Sequence, residues 1–273
     1  MSTPPNPPAA TPRHAATVVL LRDGPGGVEA YLLRRVSGMP FAGGMTAFPG
    51  GSVDPRDADA SLAWAGPDPS RWATAFGTDQ RLARSLLCAA VRETFEEAGV
   101  LLAGPSGGGV VDGSHPRWEA DRVALERREL SLADLLARRG LVLRADLLRP
   151  WAHWITPRGE PRRYDTRFFV AALPAGQRPP DASGAFTREA DQVAWVRPAD
   201  ALAEFAGGAR PMLPPTLVTL REIAGYATVT DVLAAGWERT IEPITPRLSL
   251  GPEGNHVLLP DGRRLDLPPG FPP

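Results

Sequence analysis

The chain contains no lysine: its 30 basic side chains are all arginine. A genome-level bias toward arginine, alanine, proline and glycine accounts for this, and it leaves guanidinium forks as the only long cations. Cysteine is almost missing as well. Cys88 stands alone, which excludes an internal disulfide, and its apolar setting, SLLCAAV, suits a small core residue better than a reactive thiol. No apolar run approaches the roughly 20 residues of a membrane-spanning helix, so no membrane partner is expected. The opening stretch, MSTPPNPPAATPRH, lacks the basic and apolar regions of a signal peptide, which makes the cytoplasm the expected location. An excess of charge of either sign is lacking too. A formal net charge of −1 with no basic block excludes a bulk nucleic-acid-binding surface.

What is present is enough for one large domain or two small ones: 273 residues, 43% of them hydrophobic. Residues 1–13 are proline-rich and expected to be disordered. HAATVVLLRD and VEAYLLRRV read as two strands joined through GPGG into a hairpin. The next segment, SGMPFAGGMTAFPGGSVDP, is crowded with glycine and proline and is expected to hold no regular element. Residues 58–79 read as an irregular insertion with short helical pieces. From about Thr78 to Ala98 the spacing of Leu82, Leu86, Ala89 or Ala90 and Thr94 predicts a helix, and Gly99 is placed to end it in a left-handed conformation. Further on, two helices are expected around residues 116–140, the second capped by Ser131. LRPWAHWITP, YDTRFFVAALP and DQVAWVRP read as strands, and PADALAEFA, PPTLVTLREIAGY and TVTDVLAAGWE as helices. NHVLLPDGRRLDL reads as a hairpin with an Asp-Gly turn. Strands mixed with helices at these intervals indicate an α/β or α+β fold.

The chemistry concentrates in RETFEEAGV, residues 92–100. On a helix, Glu93 lies three residues from Glu96 and four from Glu97, so the three carboxylates share one side. Like charges this close destabilise the helix unless a cation sits among them; a merely solvated face is the alternative. Carboxylates with no nearby histidine or cysteine cluster fit Mg²⁺ or Mn²⁺ rather than zinc. Arg92 is placed to pair with Glu96 or to steady another carboxylate. The FPGG turn upstream is of the kind that brings backbone close to a phosphate or a metal. A metal held by carboxylates beside such a turn suits phosphoryl chemistry.

GGSVDPRD followed by RETFEEAGV resembles the Nudix box, G-x5-E-x7-R-E-U-x-E-E-x-G-U with U apolar. Gly51 matches the first glycine, and Arg92, Glu93, Glu96, Glu97, Gly99 and Val100 match the second half. Asp57 stands where the first glutamate is expected and Thr94 where an apolar residue is. Thirty-four residues separate Asp57 from Arg92 where the pattern has seven, which places an insertion at residues 58–84. A long insertion inside the box resembles the branch that includes coenzyme A diphosphatases. LLRRVSGMPFAGGMTAFPGG, WITPRGEPRRYDTRFFVA and LPPTLVTLREIA are also similar to stretches of that branch. The resemblance implies an α/β/α sandwich around a mixed β-sheet, spanning residues 14–240, with 241–273 as a C-terminal hairpin and tail. It implies hydrolysis of a nucleoside diphosphate derivative, with coenzyme A or an acyl derivative first and NADH or ADP-ribose as alternatives. By the same resemblance Glu93, Glu96 and Glu97 hold the metal, one of them being a candidate general base. Gly50–Gly51 offers a backbone carbonyl, assigned to Gly51 as a metal ligand, and Arg92 orients the glutamates.

Arginine forks suit phosphate oxygens. Arg34 and Arg35 precede the glycine-rich loop, and Arg34 occupies the position of the branch's substrate-side arginine. Arg162, Arg163 and Arg167 flank Tyr164–Thr166 and are further candidates, each against the alternative of a surface arginine. Glu189 and Asp191 are candidates for an additional ligand or base. His153 reads as a general base or a structural histidine, and Trp151, Trp154 and Trp195 as adenine-stacking or core residues. The expected partner is a small nucleotide, and a homodimer is the family's common assembly. Two other classes remain: a Nudix-fold module that senses a nucleotide without cleaving it, and an interaction protein using the proline-rich ends and the insertion. The intact carboxylates favour catalysis.

Overall fold

The computed structural model describes residues 10–268 apart from 40, 60, 181–186, 188 and 250–254. The expectations for residues 1–9 at the start, and for 250–254 and 269–273 in the tail, lie outside the described residues.

Strands β1 (Arg13–Gly24) and β2 (Gly27–Arg35) form the expected hairpin, turning through Pro25 and Gly26. Side chains alternate along a strand, so the continuous apolar run of β1 serves two cores at once. Val18 and Leu20 face one, Val19 and Leu21 the other. The glycine- and proline-rich stretch that follows holds two short strands, contrary to expectation: β3 (Thr46–Ala47) and β4 (Gly50–Ser52). Gly50 and Gly51 are therefore not a free turn. They lie in antiparallel register with Thr17 and Ala16 of β1.

The inserted segment is more ordered than its punctuation suggests. After β5 (Trp64–Ala65), helix α1 (Pro69–Phe76) is opened by the Asp68 side chain and closed by Gly77 at φ 59°. Trp72 and Phe76 are buried and their rings meet Phe169, while Trp72 also meets Trp237. The long helix α2 (Gln80–Ala98) begins at an Asp79 cap and stops at Gly99, φ 65°, as the sequence predicts. The last residues of the insertion are thus the first turn of α2.

Strand β6 (Ala103–Gly104) is followed by α3 (Glu119–Glu126), α4 (Leu132–Arg139) with its Ser131 cap, and β7 (Val142–Arg144). β5, β7 and β6 form a small three-stranded sheet. Then come β8 (Leu148–Ile155), β9 (Tyr164–Ala172) and β10 (Ala190–Val196), followed by helices α5 (Pro198–Ala206), α6 (Pro214–Ile223) and α7 (Val229–Gly236). The chain ends with β11 (Pro243–Ile244), β12 (Arg247–Ser249), β13 (His256–Leu258) and β14 (Arg264–Asp266).

The main sheet runs β10-β2-β1-β9-β8-β11, with β3 on β2 and β4 on β1. It is mixed: β1 pairs β9 and β8 pairs β11 in parallel, the rest antiparallel. One face packs on α1, α2, α3 and α4, and the other on α5, α6, α7 and the β12–β14 sheet. This is the expected α/β/α sandwich. Among the described residues no helix is long and apolar enough to cross a membrane.

Because Trp72 fills the core under α1, Trp72→Ala should lower unfolding free energy by about 3–5 kcal/mol. Urea denaturation of the purified protein measures this. A change of a few tenths would mean that the inserted helix is peripheral.

Candidate active site

Helix α2 aims Arg92, Glu93, Glu96 and Glu97 toward β4. All four are largely covered: the side chains of Glu93 and Glu96 keep 13% and 12% of their surface, and Arg92 and Glu97 are buried. Thr94, in an apolar position of the motif, is fully buried and donates its hydroxyl to the Ala90 carbonyl at 2.7 Å, which satisfies it inside the helix. Two glycines make the close approach possible. A Cβ on Gly51 would lie 2.5 Å from the Glu93 carboxylate, and the Gly50 amide donates to Glu97 Oε2 at 2.7 Å. Any larger residue at position 51 would displace Glu93.

Arg92 is the hub. Its Nε and Nη2 donate to the two oxygens of Asp57 at 3.0 and 2.9 Å, a bidentate pair. Nη2 also donates to the Ser52 carbonyl at 2.9 Å, and Nη1 to Glu93 at 2.6 Å and to Glu96 at 3.4 Å. Asp57 is 2% exposed, so the pair is secluded from water. Sequence reasoning placed Asp57 in the box but gave it no role: the insertion leaves and returns so that Asp57, distant in sequence, lies against Arg92. Its place at the first acidic position of the box was the available signal.

Burial, reinforced by the charge of Glu93, pushes the Glu96 carboxyl up to about 7. Burial and the same neighbour hold Glu97 well above the usual carboxylate range, against the pull of the Gly50 amide and Arg35. Glu93 is raised as well, chiefly by burial, although Arg92 opposes the shift. The three do not close into a ready-made cage. Among the described residues no trio of His, Cys, Asp or Glu side chains converges in that way. Glu93 and Glu96 instead turn to Arg92, and Glu97 to Gly50. The donor set nevertheless fits a hard divalent cation: all oxygen, clustered and largely buried, with three carboxylates around one guanidinium and a fourth, Glu97, on the Gly50 amide.

The other expected residues divide by strand parity. Arg35 lies beside the carboxylates, its charge acting on Glu97, and pairs with Glu189 at 3.7 Å. The charge of Glu189 in turn bears on Glu93 and Glu97. Arg34, expected as the leading substrate contact, points to the opposite face of β2 and donates to Asp191 at 2.7 Å; it does not line the cleft. Arg163 is also not in the cleft: it donates to the carbonyls of Thr156, Pro157 and Ala10, fastening the segment before β1 to the β8–β9 turn. Arg167 is buried against Asp165 on the α2 side of the sheet. Asp165 also accepts from His153 at 2.5 Å, and His153 is a buried structural residue rather than a base at the site. Although burial opposes it, the His153 hydrogen bond and the Arg167 charge hold Asp165 at about 2. Of the three tryptophans, only Trp154 reaches the cleft. Trp151 packs on Tyr226, and Trp195 on Tyr31 and Arg22.

A cleft of about 1340 Å³ opens from the carboxylates. Near them it is polar, with Arg35 and Glu189; the rest of the lining includes Phe48, Trp154 and Phe168 as well as Arg162. Phe41, from the loop after β2, meets Tyr164 at the start of β9 with ring centroids 5.0 Å apart, joining two walls of the cleft.

Two expectations follow. Asp57→Asn should cost about 3 kcal/mol, because it removes one charge of a buried bidentate ion pair and turns an amide NH2 toward the Asp54 amide or the guanidinium; urea unfolding measures it, and a loss below 1 kcal/mol would remove Asp57 from the structural core of the site. The second concerns pH. Glu96 has a folded value near 7 against a reference of 4.5, so its contribution to stability is complete below 4.5 and is lost as pH rises toward 7. In EDTA the melting temperature should therefore fall over that window. Mn²⁺ should restore it, more at pH 8 than at pH 5, as differential scanning fluorimetry would show. An equal gain at both pH values would contradict the assignment.

The NUDT19 Nudix domain profile matches residues 79–223, just over half the chain, starting at the cap of α2. The acyl-coenzyme A diphosphatase NUDT19 of Gallus gallus is 29% identical over 278 residues, covering 84% of this chain and 72% of that protein. The Homo sapiens protein of the same name is 29% identical over 184 residues, covering 63% of this chain but only 48% of its own length. A solved Nudix hydrolase from Alicyclobacillus acidocaldarius has a TM-score of 0.67 and 28% identity, covering 82% of this chain and 96% of that one. With the box carboxylates, the glycine strand and the sandwich in place, the chain belongs to the Nudix hydrolases, on the branch represented by the NUDT19 Nudix domain.

Proposed function

We propose that this Nudix hydrolase cleaves the diphosphate of coenzyme A and of acyl-coenzyme A. The observation that carries the reading is the shape of the cleft. An acidic cluster suited to a metal-bound diphosphate opens into a cleft of about 1340 Å³ whose lining is mixed, with apolar groups such as Phe48, Trp154 and Phe168 beside arginines and glutamates. That exceeds the roughly 300–1,000 Å³ of an ordinary small-molecule site and suits a nucleotide with a long arm, the polar groups of the lining meeting the amides of pantetheine and the apolar ones an acyl chain. The similar chicken and human proteins carry the name acyl-coenzyme A diphosphatase.

In this reading Glu93, Glu96 and Glu97 hold a divalent ion, Mg²⁺ or Mn²⁺, with the Gly51 backbone alongside. When bound, such an ion polarises phosphate oxygens and lowers the pKa of coordinated water. Arg92, braced by Asp57, keeps Glu93 and Glu96 oriented. Arg35 presents a guanidinium to the phosphate oxygens, and Glu189 steadies Arg35. Water attacks one phosphorus and a carboxylate accepts its proton. The bridging P–O bond breaks, leaving 3′,5′-ADP and phosphopantetheine or its acyl form.

Purified protein with Mg²⁺ or Mn²⁺ should release 3′,5′-ADP from coenzyme A, read by mass spectrometry. Glu97→Gln should lower turnover on the order of a hundredfold while leaving the thermal transition in place. Cleavage of only NADH or ADP-ribose would redirect the substrate, and binding of coenzyme A without turnover would make the protein a sensor.

A further inference from the structure

Resting on the coenzyme A reading above, we propose that the C-terminal β12–β14 sheet is the acyl-chain wall of the cleft. Leu248 on this wall sets the preference for acylated over free coenzyme A.

The sheet is placed over the cleft by pairing and packing. β11 adds in parallel to β8, with Pro243 opposite His153 and Ile244 opposite Trp154, and so delivers β12 close to Trp154. Leu248, Val257 and Leu265 are direct cross-strand partners, so they form one row on one face of the sheet. Val257 and Leu265 are buried in the second core with Phe168 and Trp154. Leu248, the last of the row, keeps 42% of its surface and lines the cleft with Pro246 and Leu267. An apolar floor from the main sheet thus meets an apolar wall from the small sheet in the same cleft that holds Glu93, Glu96 and Glu97.

The opposite face of the small sheet differs. Arg247, Leu258 and Arg264 lie there in register, with Arg264 pairing to Asp266 at 2.7 Å. Among the described residues Leu248 and Leu258 are the large hydrophobic side chains that are exposed. Leu258 lies outside the cleft lining, in a charged row. Leu248 lies inside it, among groups that gain by being covered with hydrocarbon. A fatty acyl chain continuing from the pantetheine arm meets that need, whereas a second nucleoside, as in NADH, would place polar groups against Leu248, Val257 and Leu267.

Each methylene withdrawn from water multiplies affinity by roughly three- to fourfold, so chain length is the natural readout. kcat/KM is measured for free, acetyl-, octanoyl- and palmitoyl-coenzyme A, below micelle-forming concentrations, with the native protein, Leu248→Asp and Leu258→Asp. In the native protein kcat/KM should rise with chain length. Leu248→Asp should lose about tenfold or more on palmitoyl-coenzyme A while staying within about twofold on free coenzyme A. Leu258→Asp, equally exposed but on the other face, should match the native protein. If Leu248→Asp lowers all four substrates alike or none, or if Leu258→Asp reproduces its effect, the acyl wall is wrong while the diphosphatase reading stands. If the native protein cleaves no form of coenzyme A, the diphosphatase reading itself fails.

Discussion

Arg92 is the interaction on which the rest of the site depends. One buried guanidinium gathers Asp57, Glu93, Glu96 and the Ser52 carbonyl, and so joins the inserted segment, strand β4 and helix α2. Its own burial works against its charge, but the surrounding carboxylates outweigh that and raise its pKa. The result is a standing electrostatic tension. One fixed cation serves several secluded carboxylates, and the carboxyls left under-compensated titrate upward toward neutrality. A divalent cation relieves that tension in a way that protonation does only at lower pH.

The long interruption of the box does not loosen this arrangement, because the inserted residues have a core of their own to join. Trp72 and Phe76 lock α1 onto the sheet through Phe169, and the chain is then delivered straight into the Asp79 cap of α2. Asp57 is held at the other end by a local turn in which it also caps the Asp54 amide at 2.8 Å. Both ends of the insertion are therefore anchored within the same structural unit, and the Arg92–Asp57 pair closes across its mouth.

Much was legible in the sequence wherever periodicity or a backbone constraint leaves a strong local mark. The hairpin of β1 and β2, the helix ending at Gly99 and the Ser131 cap are of this kind. The short strands were not legible. β3 and β5 span two residues each and are held by their neighbours, too short to leave a period of two. Gly50 and Gly51 look like a turn because glycine favours turns. They form a strand because only a residue without a side chain fits between β1 and the Glu93 carboxylate.

The sequence by itself determined which residues stand together on α2, since helical spacing puts Glu93, Glu96 and Glu97 on one side whatever surrounds them. It also determined that guanidinium groups would do every long-range cationic task. Only the tertiary structure decided which arginines face the cleft. Arg34 and Arg35 are chemically equal neighbours, and the pleat of β2 sends one to Asp191 and the other toward Glu97 and Glu189. The same holds for Asp57, whose partner lies 35 residues away, and for Leu248, whose cleft is built by strands far earlier in the chain. Local spacing is written into covalent geometry; which face a side chain meets depends on what packs against that face, and that is known only once the layers have assembled.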